Sequence, residues 1–130
     1  YEEGVFTPTF AEGVVGIPSY NLQIGNYTRV GNICYFQLAL RTPNAGGGDL
    51  LTIGGLPFSA SDQPVATLGG CYWVYADDLF GTSDGTPYWQ IAATGNTMSL
   101  YTITGAPWAG NTGGGIGNKV VWLNGFYRIA

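Results

Sequence analysis

Eight carboxylates and no histidine set the chemistry open to this chain. Without histidine there is no Ser-His-Asp or Cys-His nucleophile system, and the commonest general base is missing. Histidine-containing zinc sites are excluded as well, and two cysteines alone do not complete a structural zinc site. Paired carboxylates are the remaining catalytic option, because two acids flanking a glycosidic bond make a glycosidase. Asp77 and Asp78 are adjacent, as are Glu2 and Glu3. On a strand such neighbours point to opposite faces and do not flank one bond. A pair assembled across a loop, such as Asp78 with Asp84, stays open. The run from Asp77 to Gly85 lacks the spacing of an EF-hand loop, and its acids suit Asx turns. The glycine runs at 46–48 and 113–115 precede no helical pattern, so they are not phosphate cradles. The expectation is no metal, no cofactor and no enzymatic activity.

Aromatic residues offer a different chemistry. The chain holds four Trp and nine Tyr. Trp108 stands in a glycine-rich loop, Ala106-Pro107-Trp108-Ala109-Gly110-Asn111. Together with Asn111 and with Asp77, Asp78 and Asp84 of a second loop, it supplies a stacking surface and hydrogen-bonding groups suited to a sugar. Trp108 could equally pin its own loop onto the core. Trp73 and Trp122 fall inside strand patterns and read as core residues.

The elements that must position these groups are strands. No segment of twelve residues shows a helical period free of glycine and proline, whereas period-two and short apolar runs abound. Twenty-two glycines and seven prolines punctuate those runs as turns do in an all-β chain. Strands are expected over 5–10 (on an edge, because of Pro8), 20–24, 27–30, 33–40, 49–53, 65–68, 71–76, 88–94, 97–103, 119–123 and 126–129. Turns are expected at Gly25-Asn26, Gly31-Asn32 and Gly95-Asn96, since Gly-Asn pairs tolerate positive φ. The reading is one domain, residues 1–130, built as an antiparallel β-sandwich of jelly-roll type with about nine or ten short strands.

Charge and hydropathy narrow the partners. Hydrophobic residues make up 45% of the chain and charged residues 9%, against a usual charged share of about 25%. Arg29, Arg41, Lys119 and Arg128 are the only basic residues, and they form no cluster, which excludes a nucleic-acid footprint. No apolar run approaches the roughly 20 residues of a membrane-spanning helix, so no membrane insertion is expected. Cys34 and Cys71 lie in apolar runs and read either as buried free thiols or as a disulfide.

One strand carries too much apolar surface. Over Ile33–Leu40, one face holds Cys34, Phe36, Leu38 and Leu40, the expected core side. The other holds Ile33, Tyr35, Gln37 and Ala39. Thr97–Ile103 repeats the pattern with Tyr101 and Ile103 on its second face. An antiparallel strand apolar on both faces needs a second covering layer. Another copy of the chain could supply it, or the chain's own loops could. Ile33, Tyr35, Gln37, Tyr101 and Ile103 are the candidate subunit contacts.

Three motifs carry a resemblance to a known family. Tyr1-Glu2-Glu3-Gly4-Val5-Phe6-Thr7-Pro8, Tyr27-Thr28-Arg29-Val30-Gly31-Asn32 and Leu51-Thr52-Ile53-Gly54-Gly55-Leu56-Pro57-Phe58 resemble, in this order, segments of the C-terminal domains of bacteriophage tail fibres and tailspikes. They cover the first half of the chain. Val5-Phe6 departs from the Thr-Trp often found there. The resemblance implies a homotrimeric virion protein at the tail tip, folded in the reducing host cytoplasm, where cysteines stay free. It implies a receptor-binding role toward a host-surface polysaccharide or lipopolysaccharide. It also implies that a chain starting at Tyr1 is the C-terminal piece of a longer fibre or spike. A trimerisation module without ligand is one alternative. A small glycan hydrolase or lyase using loop carboxylates is another.

With no histidine and no supported acid pair, the domain should release no reducing ends from host polysaccharide above background. Release that disappears on Asp78→Asn or Asp84→Asn would establish the hydrolase alternative instead.

Overall fold

Alternation of inward and outward side chains organises the chain into two facing sheets. The computed structural model describes residues 1–12, 14–44, 51–62, 71–76, 87–92, 94–102 and 120–130, with 71–76, 87–88 and 101–102 described in backbone alone. The strands are β1 (Glu2–Val5), β2 (Thr9–Glu12), β3 (Leu22–Val30), β4 (Ile33–Arg41), β5 (Thr52–Gly54), β6 (Cys71–Ala76), β7 (Pro87–Ile91), β8 (Met98–Thr102) and β9 (Val121–Arg128). One sheet has the order β1-β3-β4-β9-β6 and the other β2-β5-β8-β7. All pairings are antiparallel. The last strand, β9, lies between β4 and β6, while β8 lies between β5 and β7. That nesting gives the sandwich its jelly-roll character.

The core forms where the inner faces meet. Phe36, Leu38 and Leu40 of β4 join Val121, Leu123 and Tyr127 of β9 against Ile53, Trp89, Ile91, Met98 and Leu100 of the facing sheet. Cys34 lies in the same core as a free thiol, and burial pushes its pKa up. The expected inward face of β4 is therefore the observed one.

Three expectations about boundaries change. Pro8 lies in no strand: Phe6, Thr7 and Pro8 form the crossing from β1 to β2, each an edge strand of its own sheet. Gly25-Asn26 makes no turn, and β3 runs straight through it. A Cβ on Gly25 would stand 2.7 Å from the Phe6 carbonyl oxygen, and the Phe6 amide donates to the Gly25 carbonyl at 3.0 Å. Close backbone approach, not turning, explains that glycine. Asn124-Gly125 likewise lies inside one continuous β9. Consequently Trp122 is not core: with Val121 and Leu123 inward, it points outward and is 47% exposed. Gly31-Asn32 is a true turn, with Gly31 at φ +60° joining Val30 to Ile33. The strand expected over 65–68 lies outside the described residues.

Tyr127 ties the core to the segment after β5. Its hydroxyl donates to the Phe58 carbonyl at 2.9 Å and accepts from the Phe58 amide at 3.1 Å. Burial pushes its pKa up. Tyr127→Phe should cost about 1–3 kcal/mol in denaturant unfolding, because it strands both Phe58 groups. The unfolded phenol ionises near pH 10, so this contribution is whole below that pH and is lost as pH rises toward the folded-state value. The alkaline loss of stability should be smaller in Tyr127→Phe, and a parallel loss in both proteins would refute the assignment.

Candidate functional site

The motif residues at the start of the chain meet in space, and they do so to hold strands together. The Tyr27 hydroxyl donates to the Glu2 carboxylate at 2.6 Å, and that hydrogen bond raises the tyrosine pKa. The Tyr27 ring lies so close to Gly4 that a Cβ there would stand 2.6 Å from its hydroxyl oxygen. Tyr27 also packs edge-on against Phe58, with ring centroids 5.1 Å apart. The Arg29 guanidinium stands 5.2 Å above the same Phe58 ring and 4.0 Å from Glu2. Gly55, at φ +80°, would place a Cβ 2.3 Å from the Thr7 carbonyl oxygen. Glu2, Gly4, Tyr27, Arg29, Gly55 and Phe58 thus form a clasp linking β1, β3 and the segment after β5. Their chemistry is consumed by one another.

The surface left without such partners is the outer face of the five-stranded sheet. Strand register arranges it in rows that run across the strands. Val30, Ile33 and Arg128 make one row, and Thr28, Tyr35 and Phe126 the next. Asn26, Gln37 and Asn124 form a third row, and Ile24, Ala39 and Trp122 a fourth. Glu3 and Val5 of β1 extend the second and third rows at the edge. Nine large hydrophobic side chains are exposed among the described residues, and six of them, Val5, Ile24, Val30, Tyr35, Trp122 and Phe126, occupy this face. Tyr1 adjoins it, donating a hydrogen bond to Glu3.

Two rows frame a hollow. The Tyr35 and Phe126 rings lie 6.1 Å apart and tilted by 39°. Below them the amides of Asn26, Gln37 and Asn124 line an open concavity of about 490 Å³, with Thr28 at its side. None of these three amides hydrogen-bonds to another described side chain or backbone group.

Of the expected contact residues, the structure brings Ile33, Tyr35 and Gln37 onto this face. Tyr101 falls in β8 of the other sheet, in register with Tyr88, and Ile103 lies outside the described residues. Asp77, Asp78, Asp84, Trp108 and Asn111 also lie outside them. Their flanking strands are described. Ala76, which precedes residues 77–86, pairs with Val121, and Pro87, which follows them, pairs with Thr102. The segment 103–119 joins Thr102 to Val120 in sequence. Both segments thus arise from neighbouring strand ends. In the five-stranded sheet that end is opposite the one where Glu2, Arg29, Cys34 and Tyr127 stand in register.

The site residues that sequence reasoning missed are Asn26, Trp122, Asn124 and Phe126. Reading β9 as one strand would have found the last three, since Trp122, Asn124 and Phe126 alternate with buried neighbours, and Asn26 would have followed from reading β3 as one strand.

No protein-family model matches the chain, and no curated protein matches it. Its fold is similar to part of a solved structure, that of the Dettilon tailspike protein (gp208), with a TM-score of 0.71. The two are 20% identical over 98% of this chain, which spans 23% of the length of that one. The likeness establishes the β-sandwich fold.

Proposed function

We propose that this chain is a phage tailspike or tail-fibre domain that assembles as a homotrimer through the outer face of its five-stranded sheet and contributes to host-surface recognition. The observation that carries the reading is the concentration of exposed apolar residues on that one face. Soluble proteins rarely leave so contiguous a patch uncovered unless it binds something. The fold likeness to a tailspike and the three motifs of the first half support a trimer in particular, located at the virion tail. The ligand class is a polysaccharide or lipopolysaccharide of the host surface. Asp77, Asp78, Asp84, Trp108 and Asn111 are its candidate contacts, carried on two segments whose strand ends are neighbours. Loops held by a rigid scaffold suit such a task, and three copies would add avidity on a repetitive glycan. The domain itself performs no catalysis in this reading.

A second reading is favoured by one observation. The hollow sets the Tyr35 and Phe126 rings beside three amides that have no partner among the described side chains and backbone groups, a combination that also suits a sugar ring. In that case the face binds the glycan directly and stays open to solvent.

Light scattering should give about three times the 13.7 kDa chain mass. A clean monomer at micromolar concentration would sink the trimer. Trp108→Ala should weaken attachment to host cells while leaving the trimer mass and melting temperature nearly unchanged. A loss of about 3–5 kcal/mol in stability with attachment intact would instead mark Trp108 as a buried anchor of its loop.

A further inference from the structure

We propose that the Asn26–Gln37–Asn124 row is a self-complementary amide layer that fixes the register and number of copies meeting on this face. The inference rests on the homotrimer reading above and names the residues that make the assembly specific. Its occupant is another copy of this chain.

The rows run perpendicular to the strands. When copies surround an axis parallel to the strands, each row meets its own kind at the same height. Apolar rows tolerate sliding, because one apolar contact resembles the next. An amide row does not. Each amide both donates and accepts, so a second amide satisfies it, whereas an apolar row leaves it buried without a partner. A lone polar residue in an apolar coiled-coil seam fixes register and oligomer state in this way, at a cost in stability. Here the amide row lies between the Thr28–Tyr35–Phe126 row and the Ile24–Ala39–Trp122 row. A slip by one row toward Ile24, Ala39 and Trp122 would set three amides against largely apolar side chains.

Strand order decides which residues converge. β4 is the central strand of the five, so in a threefold prism its Gln37 faces the axis and meets two other Gln37 side chains. The β3 side of one sheet then faces the β9 side of the next, which sets Asn26 against Asn124 of a neighbour. Charge placement agrees with this head-to-tail arrangement. Glu3 lies on the β1 side, and Arg128 lies on the β9 side one row away. Arg128 has no carboxylate partner among the described residues, and the Asn32 side-chain oxygen, with its amide turned to face the guanidinium, accepts from it at 3.2 Å. The aliphatic residues of the face, Ile24 and Val30, also suit a protein surface better than a sugar.

Cysteine cross-linking tests the register directly. Within one chain, positions 26 and 124 flank β4 and stand two strand spacings apart, about 9–10 Å. That is beyond the Cα separation of about 4.4–6.8 Å that a disulfide spans. A disulfide between them must therefore join two copies. The full chain carrying Asn26→Cys with Asn124→Cys should oxidise to a covalent trimer on a non-reducing gel. The offset pair Ile24→Cys with Asn124→Cys should not. Gln37→Leu should melt higher than the parent yet give a mixture of masses in native mass spectrometry. If the parent is trimeric but the offset pair cross-links as well, or Gln37→Leu remains a single trimer, the amide layer is refuted while the assembly stands. If the parent is a monomer, both readings fall. A monomer whose aromatic fluorescence responds to host lipopolysaccharide, with the response lost in Tyr35→Ala, would put a sugar on the row in place of a copy.

Discussion

Everything in this structure depends on β4 having two faces with different obligations. Its inward residues anchor the core, and Cys34, Phe36, Leu38 and Leu40 are all but inaccessible to solvent. Because side chains alternate strictly along a strand, a slip of one residue would exchange the two sets. The core thus fixes which residues must stand outside, and Tyr35 and Gln37 have no freedom to turn inward. β3 and β9 inherit the same phase through their pairing with β4. The outer rows are a by-product of core packing in their position. Their composition is not, since an ordinary outward face would carry charge where this one carries rings and amides.

The clasp of Glu2, Tyr27, Arg29 and Phe58 gives a physical account of the motifs that open the chain. β1 is a short edge strand, paired to β3 over only four residues. Alone it would contribute little. The hydrogen bond to Tyr27, the close seat of its ring against Gly4 and the stacked arginine tie that edge into the segment after β5. Motif positions of this kind report on how a sandwich is closed. They carry no information about a ligand.

Much of the fold was legible in the sequence, and the failures share one cause. Period-two alternation identified β4, its inward face and the β7–β8 hairpin. The Gly31-Asn32 turn was legible because a two-residue loop with positive φ needs such residues. Gly25-Asn26 looked the same in sequence. What distinguishes it is Phe6, nineteen positions earlier in the chain, whose backbone occupies the space a side chain would need. A contact of that separation leaves no local trace. Splitting β9 at Asn124-Gly125 repeated the mistake, and Trp122, read as core because it lies within a strand, proved to face outward. The subunit-contact candidates on β4 came from local alternation and landed on one face. The rows that β3 and β9 add to them depend on cross-strand register, which no single segment encodes.

The two edges formed by β1 and β2 have a consequence of their own. β1 is four residues long and carries Glu2 and Glu3, while β2 follows Pro8, shifts register near Phe10 and ends at Glu12. Short strands, acidic side chains, a proline and an irregular register are the means by which sheets discourage a further strand from adding to an open edge. Addition along an edge has no natural end, and it produces fibrils. Contact through a broad face closes on itself once the ring is complete. Blunt edges at β1 and β2 beside an apolar face therefore oppose fibril-like growth from those two strands, even while the chain carries unusually little charge to keep its copies apart.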